Sequence, residues 1–160
     1  MDRIWSPWRS SYVQLKKKKG CIFCQAFKSK QDKKNYLIYR DKKSFVIMNI
    51  FPYNNGHLMV VPRRHIAEFS NLTDEESLSC LRLIKKSCKV LKRVLKPHAF
   101  NIGLNLGKDA GAGFARHLHF HIVPRWRGDT NCMPVISNSK VIPQSLDELY
   151  QKLKKEFEKK

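Results

Sequence analysis

Acidic residues are scarce in this chain: 13 Asp and Glu stand against 32 Lys and Arg, a formal charge of +19. A field of that sign draws polyanions, whether nucleic acid or a nucleotide polyphosphate. The lysines fall in short clusters, Lys16–Lys19, Lys28–Lys34, Lys152–Lys155, Lys159 and Lys160. Aromatic residues do not interleave with them as they would on a base-stacking surface, so the clusters read as solvated surface and nucleic acid is not the expected partner. Long apolar runs are absent too. No stretch reaches the roughly 18 residues of a membrane span, so no membrane partner is expected. Met1–Trp8 lacks an apolar signal core, and the expected location is cytoplasmic. The five cysteines are an odd number, at positions 21, 24, 80, 88 and 132, which is not the framework of a secreted disulfide protein. Cys80 and Cys88 lie in a helical pattern and read as small buried hydrophobes.

The most informative stretch is His117-Leu118-His119-Phe120-His121-Ile122-Val123-Pro124. Three histidines alternate with apolar residues, the period of a strand with one apolar face. On such a strand the three imidazoles share a face about 6.5–7 Å apart, while Leu118, Phe120 and Ile122 point into a core. With six His in 160 residues, chance supplies on the order of 0.01 such triplets. Imidazole chemistry leaves two readings, a metal ligand or a nucleophile and acid/base near neutral pH.

The rest of the chain reads as a single α+β domain over residues 21–160, preceded by an N-terminal arm over residues 1–20 whose Trp5, Pro7, Trp8 and Tyr12 are expected to pack on the body or on a partner subunit, a disordered tail being the alternative. Residues 25–35 are a polar loop or frayed helix. Tyr36–Arg40 and Ser44–Asn49 are strands around the turn Asp41-Lys42-Lys43, the second buried on both faces. Pro52–Gly56 is a turn in which Gly56 supplies a free φ, and His57–Val61 is the next strand. Thr73-Asp74-Glu75-Glu76 is a capping box opening a helix that runs to about Lys96, with Leu81, Ile84, Cys88, Leu91 and Leu95 as its apolar stripe. Phe100–Leu106 is a strand expected beside the histidine strand, antiparallel to it. Met133–Val141 is a further strand or lid, and Ser145–Phe157 a final amphipathic helix.

Several residues around this frame suit a polyphosphate site. Gly107, Gly111 and Gly113 let the loop before the histidines bring its backbone N–H groups close to phosphate oxygens, or simply make it a flexible hairpin loop. Asn49 ends its strand where a ligand reaches it, or else caps a turn. His57, read from the sequence alone, is a satisfied core residue. Trp126 offers a π-face to a purine, or a packing surface. Cys21-Ile22-Phe23-Cys24 can chelate zinc through two thiolates, given two more ligands such as His65 and His117. A redox pair would want a thioredoxin-like βαβ context that is missing here, and an unmetallated pair is the remaining alternative.

The histidine stretch resembles the mark of the histidine-triad family of nucleotide hydrolases and transferases, His-φ-His-φ-His-φ-φ with φ apolar, and matches it in full. The resemblance extends over Ser44–His65 and Phe100–Pro143, and on to nearly the whole chain. Asn105-Leu106-Gly107, Pro124-Arg125-Trp126 and Ser139–Gln144 look most like the branch acting on diadenosine tetraphosphate, which includes hydrolases and phosphorylases.

The resemblance implies an antiparallel sheet of about five strands with one long and one C-terminal helix, in a homodimer. It implies cleavage of a dinucleoside polyphosphate at an α-phosphate through a nucleotidyl adduct on His119, with His121 and Asn105 holding the phosphate oxygens and His117 fixing the geometry. Water would release AMP; inorganic phosphate would take the nucleotide as ADP. A nucleoside phosphoramidate hydrolase, and a zinc-stabilised protein that binds nucleotide or nucleic acid without turnover, are the alternatives. The resemblance also places Asn49 on the ribose, His57 in the triad network, Trp126 near the nucleotide, and a structural zinc on Cys21, Cys24, His65 and His117. One departure stands out: Ala112-Gly113 occupies the place where this branch often has Gly-Ser. The missing hydroxyl removes a phosphate contact or leaving-group donor, which bears on rate and on acceptor.

Overall fold

The structure, a computed structural model, describes residues 20–130 and 142–159. The N-terminal arm and the strand or lid at 133–141 lie outside the described residues. Five antiparallel strands form one open sheet: β1 (Leu37–Arg40), β2 (Ser44–Met48), β3 (Leu58–Pro62), β4 (Ala99–Leu104) and β5 (Phe120–Arg125), in the order β1-β2-β3-β5-β4. Among the described residues three α-helices complete it, α1 (Ile22–Lys28), α2 (Asp74–Leu95) and α3 (Leu146–Glu158). The expected α+β class, strand number and two main helices are all present; α1 is a short third helix whose end, from Gln25 to Lys28, falls in the stretch read as a polar loop or a frayed helix. No helix among the described residues is long and apolar enough to cross a membrane.

Alternation along the strands divides the core between the two faces of the sheet. Val46, Met48, Leu58, Val60 and Ile122 pack against α2 and α3 through Leu83, Ile84, Leu91, Leu149, Leu153 and Phe157. Phe45, Ile47, Met59 and Val61 pack on the opposite face against Phe23 and Ala26 of α1. Since Met59 pairs with His121, the histidine face of β5 is the α1 face. Gly103 of β4 is the other partner of His121, and a side chain there would meet nothing within 4 Å. The sheet is therefore open beside His121.

Helix α2 begins as its sequence demands. Thr73 Oγ1 accepts from the Glu76 N–H and the Glu76 carboxylate accepts from the Thr73 N–H, with Asp74 and Glu75 also in the positive first turn. It ends at Lys96 in the left-handed region, φ 48°, just before Pro97. Its buried stripe is rotated from the expected one. Cys80, Leu83, Ile84, Ser87, Val90 and Leu91 face the sheet, whereas Leu81 is 53% exposed and Cys88 only half-buried. Small and polar residues take the inner positions because the helix approaches β2 closely there: Ser79 Oγ is 2.6 Å from Ser44 Oγ and donates to Asp41 at 2.9 Å.

The histidine stretch also differs from a single strand. Only His121 lies within β5; His117 and His119 belong to an extended lead-in. Pairing starts at Phe120, opposite Val60 and Leu104. Before that point the Leu118 N–H is taken by the Ile66 carbonyl at 2.7 Å, so the chain follows the segment after Pro62 rather than the ladder.

Candidate functional site

Two clusters of histidine adjoin on the α1 face. In the first, Cys21 is the N-cap of α1, and its Sγ accepts from the Cys24 N–H at 3.5 Å, the bond a Ser or Asp cap would make. That turn points both thiols at the lead-in. Cys21 Sγ is 3.1 Å from His117 Nδ1; Cys24 Sγ is 3.6 Å from the same atom and 3.5 Å from His65 Nδ1; the two Nδ1 atoms are 3.2 Å apart. His65 is steadied by its neighbour Arg64, which forms a two-pronged ion pair with Glu76 at the start of α2 (2.9 and 2.7 Å). His117 Nε2 lies 2.9 Å from the Pro62 carbonyl oxygen and can only donate to it, so Nδ1 of the neutral ring keeps its lone pair for the cluster. Burial, opposed by that carbonyl bond, pushes His117 down to about 4, which preserves the neutral state.

These four donor atoms all lie within 4.8 Å of one another. Zinc–sulfur and zinc–nitrogen bonds of about 2.3 and 2.0 Å set tetrahedral edges of roughly 3.3–3.8 Å, close to the separations observed. Two thiols, a free Nδ1 lone pair on His117 and a half-buried setting fit that ion. Without it, burial and the Cys21 neighbour push the Cys24 thiol up to about 11, so binding would release protons.

The second cluster is the one that suits phosphorus chemistry. His119 Nδ1 donates to the His117 carbonyl at 2.8 Å, which leaves Nε2 of the neutral ring unprotonated. Burial lowers its pKa. The His119 and His121 rings meet edge to face, centroids 4.8 Å apart. His121 Nδ1 is 2.9 Å from His57 Nε2. Nδ1 of His57 receives the Tyr53 main-chain N–H at 3.1 Å and lies 3.3 Å from Asn49 Nδ2. Desolvation takes His57 down to about 3 and His121 to about 4, with neighbouring imidazoles adding to both. His121 Nε2 is buried without a hydrogen-bond partner among the described residues.

The structure thus gathers Asn49, His57, His119 and His121 at one place, and Cys21, Cys24, His65 and His117 beside it. Asn49 also caps its turn, its Oδ1 accepting from the Phe51 N–H at 2.9 Å. Asn105 reaches across the hairpin loop to the Gly111 carbonyl at 3.5 Å, with Gly107 and Gly111 at φ +82° and +88°; Gly113 is exposed on the same loop. Trp126 is half-buried in the turn after β5, tied through its N–H to Asp129 at 3.2 Å.

Sequence reasoning missed two residues. Phe23, between the cysteines, puts its ring 5.5 Å from His117 and 5.0 Å from His119; its place in a C-x-x-C helix was the available signal. Tyr53 packs 4.6 Å from His57 and 5.7 Å from His121, with no signal beyond its nearness to His57 in the chain.

Comparison with known proteins agrees with this geometry. The HIT domain model matches residues 30–128. The chain is 42% identical over 154 residues to the AP-4-A phosphorylase of Mycobacterium tuberculosis, covering 91% of this chain and 79% of that protein. It is 33% identical over 105 residues to the asymmetrical bis(5'-nucleosyl)-tetraphosphatase of Schizosaccharomyces pombe, covering 66% of this chain and 57% of that protein. Among solved structures, a Zn-bound histidine triad family protein from Mycobacterium smegmatis superposes with a TM-score of 0.70 at 24% identity, covering 86% and 93% of the two chains.

Proposed function

The chain belongs to the HIT-domain family, and from that premise we propose that it cleaves dinucleoside polyphosphates such as diadenosine tetraphosphate at an α-phosphate, by way of a nucleotidyl adduct on His119. One observation carries this reading. The bond from His119 Nδ1 to the His117 carbonyl leaves an unprotonated Nε2, a nucleophile that needs no base, next to His121, whose Nε2 has no partner among the described residues. In the first step the Nε2 lone pair forms a P–N bond as the P–O bond to the leaving nucleotide breaks; for diadenosine tetraphosphate that group is ATP. His121, whose Nδ1 faces His57, offers its Nε2–H to an oxygen of the reacting phosphate as charge develops. Asn105 and the N–H groups of the loop at Gly107–Gly113 hold the remaining oxygens. Asn49 serves the ribose and Trp126 the base.

In the second step an acceptor oxygen forms a bond to phosphorus and the P–N bond breaks. Similarity to a phosphorylase over 91% of the chain favours inorganic phosphate, which gives ADP; similarity to a tetraphosphatase over 66% supports water, which gives AMP. The charge of +19 draws either polyanionic reactant in.

Cys21, Cys24, His65 and His117 would hold a zinc ion. Its contribution is structural, clamping α1 to the lead-in that carries His119. A homodimer is supported by the edge of β4, unpaired among the described residues, where Ile102 and nearby Leu106 are about half exposed, and by outward-facing Leu78 and Leu81 on α2.

Product analysis tests the reading. Incubation with diadenosine tetraphosphate should yield ATP with AMP in phosphate-free buffer, or ATP with ADP only when phosphate is added. His119→Ala should abolish turnover and the acid-labile phosphorus–nitrogen adduct; full activity in that variant would refute the assigned nucleophile.

A further inference from the structure

We propose that Tyr53 is a positioning residue of the transfer site: its main-chain N–H sets which nitrogen of His57 carries the proton, its ring covers one face of His121, and together they present His121 to the substrate as an Nε2–H donor. This deepens the reading in which His119 is the nucleophile and rests on it for its catalytic consequence.

The direction of the proton chain follows from donors that have no alternative role. A backbone N–H can only donate, so the Tyr53 amide, 3.1 Å from His57 Nδ1, requires a lone pair there. The Asn49 side chain agrees. Its Oδ1 already accepts from the Phe51 N–H, so its NH2 end is the one 3.3 Å from the same nitrogen. The proton of neutral His57 therefore sits on Nε2 and is donated to His121 Nδ1 at 2.9 Å. His121, its Nδ1 occupied as an acceptor, carries its own proton on Nε2. That atom is buried and has no partner among the described residues, a costly state for a donor unless a ligand oxygen completes it.

The ring of the same residue serves the second purpose. It lies nearly parallel to His121, 23° between planes with centroids 5.7 Å apart, and 4.6 Å from His57. Its outer side is open, Tyr53 being 47% exposed. The ring is thus a cover between His121 and solvent. Without it, water reaches the imidazole and competes both for Nε2–H and for the bond from His57.

The test has two arms on the full-length protein. Long-range 15N–1H spectra of histidine-labelled protein at neutral pH should show His57 and His121 both protonated at Nε2 and bare at Nδ1. This readout needs no substrate, so it remains informative if the protein fails to cleave dinucleoside polyphosphates. In the second arm, Tyr53→Phe should keep spectrum and rate. Tyr53→Ala should lower kcat about tenfold with KM within about twofold, and should move the His121 resonances toward a mixture of tautomers. Tyr53→Leu, which keeps apolar bulk, should fall between them. A wild-type His121 protonated at Nδ1 would overturn the proposal, even if the variants fail to fold. So would an unchanged kcat in Tyr53→Ala, or a loss confined to KM, which would make the ring a substrate contact instead.

Discussion

The carbonyl oxygen of His117 accepts the hydrogen bond that orients His119, at 2.8 Å, while the ring of His117 turns its Nδ1 to within 3.1 Å of Cys21 Sγ. One residue thus belongs to both clusters, by its side chain to the sulfur-rich one and by its backbone to the one that holds His119. A ligand that fixes the ring also fixes the carbonyl, and with it the imidazole of His119.

That linkage gives the first prediction. Purified protein should contain about one zinc per chain by elemental analysis. Removing it with a chelator, or substituting Cys24→Ser, should lower Tm by roughly 10 °C, because α1 loses its tie to His65 and His117. Activity should fall on the order of tenfold to a hundredfold. Protein that is free of metal as isolated, and equally stable with and without added zinc, would contradict the assignment.

Acid should destabilise the fold in two windows that overlap between about pH 4.5 and 3. His57 is held at about 3 and His121 at about 4, chiefly by burial, whereas an unfolded histidine titrates near 6.5. Between about pH 6.5 and 4 the unfolded chain binds more protons than the folded one, so stability falls as pH falls, by about 1.4 kcal/mol per pH unit for each proton taken up. The loss levels off below the folded values. Glu76 acts lower: its ion pair with Arg64 holds it at about 2, so its contribution disappears between about pH 4.5 and 2. Urea midpoints measured from pH 7 to 2.5 should show both slopes. His57→Gln should flatten the first by about one proton and spare the second.

Much of this was legible in the sequence, because the informative patterns are local. The alternation of His117, His119 and His121 with apolar residues pointed to the stretch where the two imidazole clusters adjoin, and the Thr73–Glu76 box located the start of α2. The cysteine spacing and His65 suggested the cluster that the fold brings together. What was not legible depends on contacts between distant segments. The lead-in at His117 leaves the ladder because Ile66, 52 residues earlier, takes the Leu118 N–H. The inner stripe of α2 rotates toward Cys80 and Ser87 because Ser44 and Asp41 of another segment bind Ser79. Helix α1 forms because Phe23 and Ala26 have a sheet face to cover; propensity alone does not reveal that partner. Phe23 and Tyr53 look like ordinary apolar residues until the fold sets them against imidazoles nearly a hundred and about seventy positions away.

Two glycines with similar backbone should separate strain from packing. Gly56 has φ +75° and Gly128 has φ +71°, so alanine at either site incurs the cost of the left-handed region, about 1 kcal/mol. At Gly128 the new methyl group would meet nothing within 4 Å. At Gly56 it would lie 2.5 Å from Leu95 Cδ1, 3.1 Å from Leu91 Cδ2 and 3.3 Å from Pro124 Cγ. The leucines belong to α2 and the proline to β5, so relief of the clash must displace a core side chain or the turn itself. Overpacking of this kind costs about 1–3 kcal/mol. Gly128→Ala should therefore lose about 1 kcal/mol in urea denaturation, and Gly56→Ala about 2–4 kcal/mol. The turn at Gly56 also delivers His57, one residue on, to His121. Gly56→Ala should accordingly lose more activity than Gly128→Ala when both are assayed well below their unfolding midpoints. Equal losses of stability in the two variants would mean that the Leu91–Leu95–Pro124 pocket yields freely, and that backbone strain alone explains the glycine at position 56.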